Sequence, residues 1–214
     1  MKHGPTNTRE LTEFKKTLFL SEIQTKILVG TLLGDGCLMS SRSGKAARLQ
    51  IRHNYKFVDY VEWKFSYFNN WCLTKPRFDH CNNSFVFKTV SHEQLMEVKK
   101  MFYGNQGKYI PEDINRLLTD PLSLAVWFMD DGSGDKRICR LKLSTYAFKE
   151  KGNLLLQKCL EKNFGLRTKI IRDSKGGYLY FPKEDAIQLC RLINPYVLTC
   201  MEYKLTKVKT YLTP

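Results

Sequence analysis

The chain has 214 residues, with 35 Lys plus Arg against 21 Asp plus Glu and a formal net charge of +14. A surplus of that size argues against a neutral substrate and for a polyanionic one. Hydrophobic residues make up 43%, which excludes a disordered basic tail and leaves a folded body with a charged face, built as one large domain or two half-sized units around a shared core.

Residues 1–20 are polar and charged, with one apolar cluster at Leu18-Phe19-Leu20, and read as an N-terminal arm with a docking end. Ser21-Glu22-Ile23-Gln24 is a helix start, Ser21 capping free N–H groups with Gln24 at the capping-box position. An apolar run from Ile27 to Leu33 follows and stops at Gly34-Asp35-Gly36. Two short segments then flank the turn-like Ser40–Lys45, and the second alternates Arg48, Gln50 and Arg52 against Leu49 and Ile51, the pattern of a strand with one basic face. Phe57, Tyr60, Val61, Lys64, Phe65 and Phe68 have helical spacing. Lys75–His80 and Phe85–Val90, joined at Asn82-Asn83, predict two more strands, and residues from about His92 to Tyr103 a further helix.

The second half repeats this order. After a loop and a short piece around Pro111–Leu118, Pro121 opens an apolar helix at the position where its missing N–H costs nothing. Residues 137–145, with Arg140, Lys142 and Ser144 alternating against Cys139, Leu141 and Leu143, predict a strand. A helix over 148–163 follows, then a hairpin of Arg167–Arg172 and Tyr178–Phe181 turning through Ser174–Gly177, and a helix over 183–193. A unit of helix, strand, strand, helix, strand, strand, helix used twice implies pseudo-two-fold symmetry in one chain. The expected organisation is an arm (1–20), a first half (21–104), a linker with a short helix (105–120) and a second half (121–214).

Leu28–Gly36 and Leu124–Gly132 each carry an apolar helix that delivers a carboxylate, Asp35 or Asp131, just before a glycine. An acid at the end of an apolar helix has no packing use, whereas two such acids brought together suit a hard divalent cation, which takes oxygen ligands. Lys108 and Lys204 each stand 73 positions after the acid of their half and after its third helix. The seven cysteines are scattered without a C-x-x-C spacing, which favours reduced thiols over a disulfide framework or a zinc ribbon. There is no signal-peptide h-region and no apolar run long enough to span a membrane. These features lead to the expectation of an intracellular protein, in a prokaryotic cytoplasm or an organelle.

Gly30-Thr-Leu-Leu-Gly-Asp-Gly36 and Trp127-Phe-Met-Asp-Asp-Gly132, with Leu118–Ala125 before the second, resemble the motifs of the monomeric, two-motif LAGLIDADG homing endonucleases. Ile110-Pro111 and Met201–Leu205 are similar to the branch containing the mitochondrial omega-intron endonuclease, and the resemblance runs from about Ile23 to Leu205. It implies an α+β fold of two pseudo-symmetric αββαββα halves packed through the motif helices, with antiparallel sheets forming a saddle on DNA. Gly30, Gly34 and Ala125 would allow the close helix approach, Val126 and Asp130 standing where the first motif has Gly30 and Gly34.

The activity implied is site-specific double-strand cleavage of a long asymmetric target, one phosphodiester per strand, leaving short 3′ overhangs. Asp35 and Asp131 would hold Mg²⁺, for which Mn²⁺ would substitute and with which Ca²⁺ would support binding without cleavage. Backbone carbonyls of Gly34 and Asp130 would assist, and the Asp130 side chain competes with Asp131 for the acid's role. Lys108 and Lys204 would flank the site, and Gln50 and its approximate counterpart Lys142 would orient water. Arg42, Arg48, Gln50, Arg52, Lys75, Arg77, Lys136, Arg137, Arg140, Lys142, Arg167 and Lys169 form the expected DNA-binding set, arginine reading guanine edges and lysine meeting phosphate. The alternative on the same fold is an intron RNA maturase, with host intron RNA as partner, or a non-catalytic DNA-binding regulator. The chain is expected to act as a monomer, away from membranes, and the resemblance, with no splicing domain flanking the motifs, implies a free-standing, intron-encoded protein rather than an intein.

Overall fold

The computed structural model describes residues 8–135 and 137–212, and the fold is α+β. In chain order the elements are α1 (Thr8–Lys16), α2 (Glu22–Leu33), β1 (Cys37–Ser40), β2 (Ala47–Asn54), α3 (Val58–Phe68), β3 (Arg77–Asp79), β4 (Ser84–Lys88), α4 (Glu93–Phe102), β5 (Tyr103–Gly104) and β6 (Gly107–Lys108). There follow α5 (Ile114–Leu117), α6 (Pro121–Asp131), β7 (Gly132–Gly134), β8 (Leu141–Leu143), α7 (Lys149–Phe164), β9 (Lys169–Asp173), β10 (Gly176–Phe181), α8 (Lys183–Ile193) and α9 (Thr206–Lys209).

Two compact units result, one from the residues up to Thr25 with Asp35–Met101, the other from Lys26–Gly34 with Phe102 onward. The first contains an antiparallel sheet in the order β1-β2-β4-β3, the second a sheet in the order β7-β8-β10-β9, the same topology drawn from different sequence. The repeat extends to register. Cys37 pairs with Gln50 in the first sheet, and Ser133, the residue at the matching place after its motif, pairs with Lys142 in the second.

Each sheet has one apolar face. In the first, Leu38, Leu49, Ile51 and Phe87 are buried, together with Tyr60, Val61 and Phe68 of α3. In the second, Leu141, Leu143, Leu179 and Phe181 are buried, as are Leu156, Leu160 and Phe164 of α7. Removing a side chain of this size from water contributes roughly 1.5–3 kcal/mol.

The motif helices are fixed by their ends as well as by their apolar faces. Ser21 and Gln24 form the reciprocal capping box, Gln24 N–H donating to Ser21 Oγ at 3.2 Å and Ser21 N–H to Gln24 Oε1 at 2.9 Å. Asp120 caps α6 by accepting from Leu122 N–H at 2.8 Å, and its other oxygen lies 2.8 Å from Lys26 Nζ. Leu122–Asp130 are buried without interruption. A helix that is apolar all round must be surrounded, and α2 supplies part of that surround. A Cβ built on Gly30 would strike the Ser123 carbonyl oxygen and Val126 Cβ, and one on Gly34 would strike the Asp130 side chain. The helix pair therefore closes by setting glycines of α2 against larger residues of α6. The atoms nearest these glycines come from Ser123, Val126 and Asp130; Ala125 is buried but is not among them.

The structure corrects some element boundaries. Within the expected arm, Thr8–Lys16 is helical and Leu18 is buried. The strand expected over 137–145 is confined to Leu141–Leu143, because Asp135 Oδ1 accepts from Arg137 N–H at 2.7 Å and from Ile138 N–H, holding the preceding segment as a turn. The short strand β7 begins directly at Gly132 and has no alternation to announce it. Lys75 lies in the loop before β3 rather than in it. Between β9 and β10 the turn is only Ser174-Lys175, with Gly176 at φ +124°.

Candidate nuclease site and nucleic-acid interface

At the end of α2, Lys108 Nζ donates to the Gly34 carbonyl at 2.6 Å. At the end of α6, Lys204 Nζ donates to the Asp130 carbonyl at 2.7 Å and to the Met129 carbonyl at 2.5 Å. The two lysines thus hold equivalent places on equivalent carbonyls. Carbonyls in the last turn of a helix lack intrahelical donors and carry its negative dipole end, so an ammonium group there satisfies both demands. A carbonyl oxygen has a second lone pair, so the lysine contact leaves room for another electrophile on the same atom.

Asp35 follows Gly34 directly, its side chain is 52% exposed, and its Oδ2 lies 3.7 Å from Nδ1 of His53. His53 stands at the end of β2 on the apolar face, with its ring 4.9 Å from that of Tyr60. Asp131 is half-buried at the last position of α6, and its carbonyl accepts from Ser144 N–H at 3.1 Å. The Asp130 side chain is buried beside Gly34. The carboxylate and carbonyl oxygens at each helix end are donors that hard divalent cations select, and beside Asp35 the His53 imidazole adds a nitrogen. His53 was not anticipated from sequence. Its alternation places it with Leu49 and Ile51, so only the tertiary structure sets it beside an acid.

The open face of the first sheet carries Arg48, Gln50 and Arg52, all half-buried, as the alternation predicts. Gln50 pairs in register with Lys88, a residue outside the set expected from sequence. Arg77 and Arg52 both pair with Val86, whose burial follows from two long side chains beside it. Arg52 reaches Asp79 at 3.0 Å, and the Asn82 amide together with that guanidinium holds the Asp79 carboxyl below its ordinary range. Arg42 lies exposed in the β1–β2 turn.

On the second sheet, Lys142 pairs with Tyr180, and Tyr180 with Lys169. Lys142 Nζ lies 5.1 Å from the Tyr178 ring centroid and the Arg140 guanidinium 5.8 Å from that of Tyr180, so aromatic rings share this face with the cations. Arg140 and Arg137 are exposed and precede β8, and Lys136 lies outside the described residues. Arg167 precedes β9 and its Nε is 3.6 Å from Asp185. At the rim, Tyr146 donates its hydroxyl to Asp173 at 2.8 Å, which lowers the acid's pKa, while desolvation and then this acceptor push the phenol up to about 12.

A family model described as the LAGLIDADG DNA endonuclease family matches residues 25–189, and the chain belongs to that family. It is 29% identical over 200 residues to the RecA protein of Mycolicibacterium flavescens, covering 87% of this chain and 47% of the relative. It is also 29% identical to the probable intron-encoded endonuclease 1 of Wickerhamomyces canadensis, over 94% of this chain and 92% of that one. Among solved structures, that of the homing endonuclease I-WcaI bound to its DNA recognition sequence matches with a TM-score of 0.84 at 28% identity, covering 94% of both chains. The chain spans about half the length of the first curated relatives it matches. Among the described residues no helix is long and apolar enough to cross a membrane.

Proposed function

We propose that the chain is a site-specific, metal-dependent DNA endonuclease that hydrolyses one phosphodiester in each strand of a long, asymmetric duplex, leaving short 3′ overhangs. The observation that carries this reading is the pair of lysine-capped helix ends, Lys108 on Gly34 and Lys204 on Asp130, each adjoining a motif acid followed by glycine. The halves 21–104 and 121–214, joined by 105–120, each supply one acid and one strand-cleaving site. The protein acts as a monomer inside a prokaryotic cell or an organelle, encoded within an intron.

Phosphodiester hydrolysis needs an activated water, neutralised charge on the phosphorus oxygens and a stabilised leaving oxygen. Asp35 and Asp131 would hold Mg²⁺ with help from the Gly34 and Asp130 carbonyls, and when bound the cation supplies Lewis acidity. A bound cation would offset the repulsion that carboxylates feel when they share a site. Lys108 and Lys204, fixed by their carbonyl contacts, present positive charge to the phosphate oxygens. Gln50 and Lys142, at matching register positions, orient water. Arg42, Arg48, Arg52, Arg77, Arg137, Arg140, Lys142 and Lys169 meet the duplex from the sheet faces and turns, with Lys75, Lys136 and Arg167 outside the strands.

Incubation with a random duplex library in Mg²⁺, followed by sequencing of cleaved ends, is expected to return one long non-palindromic site. Ca²⁺ in place of Mg²⁺ is expected to leave binding and remove cleavage, and Mn²⁺ to restore it. Binding without cleavage in every cation overturns the nuclease reading in favour of a regulator. Affinity for duplex is expected to fall steeply with salt, and a flat salt response removes the basic-face argument.

Lys108→Met and Lys204→Met are expected to slow cleavage about 10²-fold each, predominantly on different strands, since each removes one preorganised positive charge. Strand-resolved single-turnover kinetics check this. Equal slowing of both strands by either variant contradicts the assignment of one lysine per half.

A further inference from the structure

Beside the first sheet, outside the residues assigned above to catalysis, lies a cleft of about 350 Å³ between the C-terminal turn of α1 and the strand edges, lined by Lys15, Arg48, Lys88, Leu73 and Thr74 among others. Among the described residues three cations line it and no carboxylate does. Lys15, Arg48 and Lys88 are each half-buried, and among the described residues none of their side chains makes an ion pair or hydrogen bond. Other half-buried cations have acidic partners, as in Arg52 with Asp79 and Lys26 with Asp120. Like charges gathered without a counter-charge repel, and the cheapest relief is an anion from outside the protein.

The turn that supplies Lys15 is held in place. His92 Nε2 lies 3.1 Å from the Lys15 carbonyl, Leu18 is 3% exposed, and Leu20 N–H donates to Gln94 Oε1 at 3.2 Å. Lys15 also lines a second cleft on the other side of the same turn, which presents Lys16 and Lys45 with one acid, Glu93. The corresponding place on the second sheet differs in kind. There the groove beside Arg140 and Lys142 contains Asp135 and the rings of Tyr178 and Tyr180, a lining suited to bases or sugar rather than to a bare anion.

We propose that Lys15, Arg48 and Lys88 form a phosphate seat that takes a backbone phosphate of duplex DNA, with α1 acting as a clamp on the first half alone. Thr74 supplies a hydroxyl at its rim. This inference rests on the DNA-binding reading above and adds Lys15 and Lys88, which neither motif nor strand alternation singled out, to Arg48, which alternation did. Because the seat reads only backbone, it contributes affinity without sequence preference.

The test is fluorescence anisotropy on a 40-base-pair duplex of mixed sequence (about four helical turns) in Ca²⁺, with salt varied, for the full chain and the double variant Lys15→Gln/Lys88→Gln. A lost phosphate contact lowers the slope of log K against log salt by about 0.9, so a reduction of about 1 and an affinity loss of about tenfold at moderate salt are expected. Lys15→Arg/Lys88→Arg keeps the charges and is expected to retain the parent slope, as is Lys158→Gln on the exposed face of α7. Melting temperatures of all variants report folding. An unchanged slope in the double Gln variant, with the parent binding normally, overturns the phosphate seat. Failure of the parent to bind duplex overturns the DNA reading on which it rests.

Discussion

Asp35→Asn or Asp131→Asn is expected to lower double-strand cleavage by about 10³-fold while leaving duplex binding in Ca²⁺ in place. The amide keeps the shape of the side chain and removes the charge proposed to recruit the cation, so the expected loss falls on the chemical step rather than on DNA contacts. On the proposed mechanism each helix end contributes one acid and two cuts need both, and plasmid assays that separate nicked from linear product read this directly. Asp130→Asn, measured in parallel, decides between neighbours. Asp130 is buried beside Gly34, whereas Asp131 is half-exposed at the helix end. Replacing the Asp130 side chain leaves its backbone carbonyl and the Lys204 contact intact. If Asp130→Asn abolishes cleavage and Asp131→Asn does not, the acid of the second half is Asp130.

The second large effect is on stability. Gly30→Val places a branched side chain where the Ser123 carbonyl oxygen and Val126 already stand. A backbone carbonyl cannot rotate aside as a side chain can, so α2 and α6 must separate along a contact whose α6 side is buried from Leu122 to Asp130. Overpacking of this kind costs about 1–3 kcal/mol, and for a chain of this size each kcal/mol lowers the melting temperature by about 2–4 °C. A drop of about 5–10 °C is expected, measured by calorimetry or circular dichroism. Gly104→Ala is the comparison. Its added Cβ would meet only the Tyr109 ring at 3.6 Å, an ordinary contact, and a change within about 1 kcal/mol is expected. Val126→Gly in the Gly30→Val background is expected to recover part of the loss but not all, since the Ser123 carbonyl remains. A melting temperature equal to the parent's in Gly30→Val contradicts the close packing of the two motif helices.

Cysteine chemistry takes no part in this scheme. Burial pushes the Cys72 and Cys159 thiols up to about 12 and that of Cys190 to about 11, so these groups stay protonated and act as small apolar residues.

The sequence by itself determined the elements whose cause is local. Apolar helices ending in acid and glycine, the Ser21–Gln24 capping box, Pro121 after its capping Asp120, and the alternation of Arg48, Gln50 and Arg52 are all governed by residues within a turn or two of each other. Local periodicity reports which face a residue occupies, and for β2 it did so correctly. It failed at residues 137–140, where a side chain, Asp135, bonds the backbone and replaces the strand that alternation predicts. It also missed β7, because Gly132-Ser-Gly134 has no side-chain pattern to read. Only the tertiary structure decided which distant residues meet: Lys108 on Gly34, Lys204 on Asp130, His53 beside Asp35, Asp79 on Arg52, and Lys15 beside Arg48 and Lys88. Those contacts depend on strand order, register and the depth at which α2 seats against α6, and these are set by packing over the whole chain, which no short window of sequence contains.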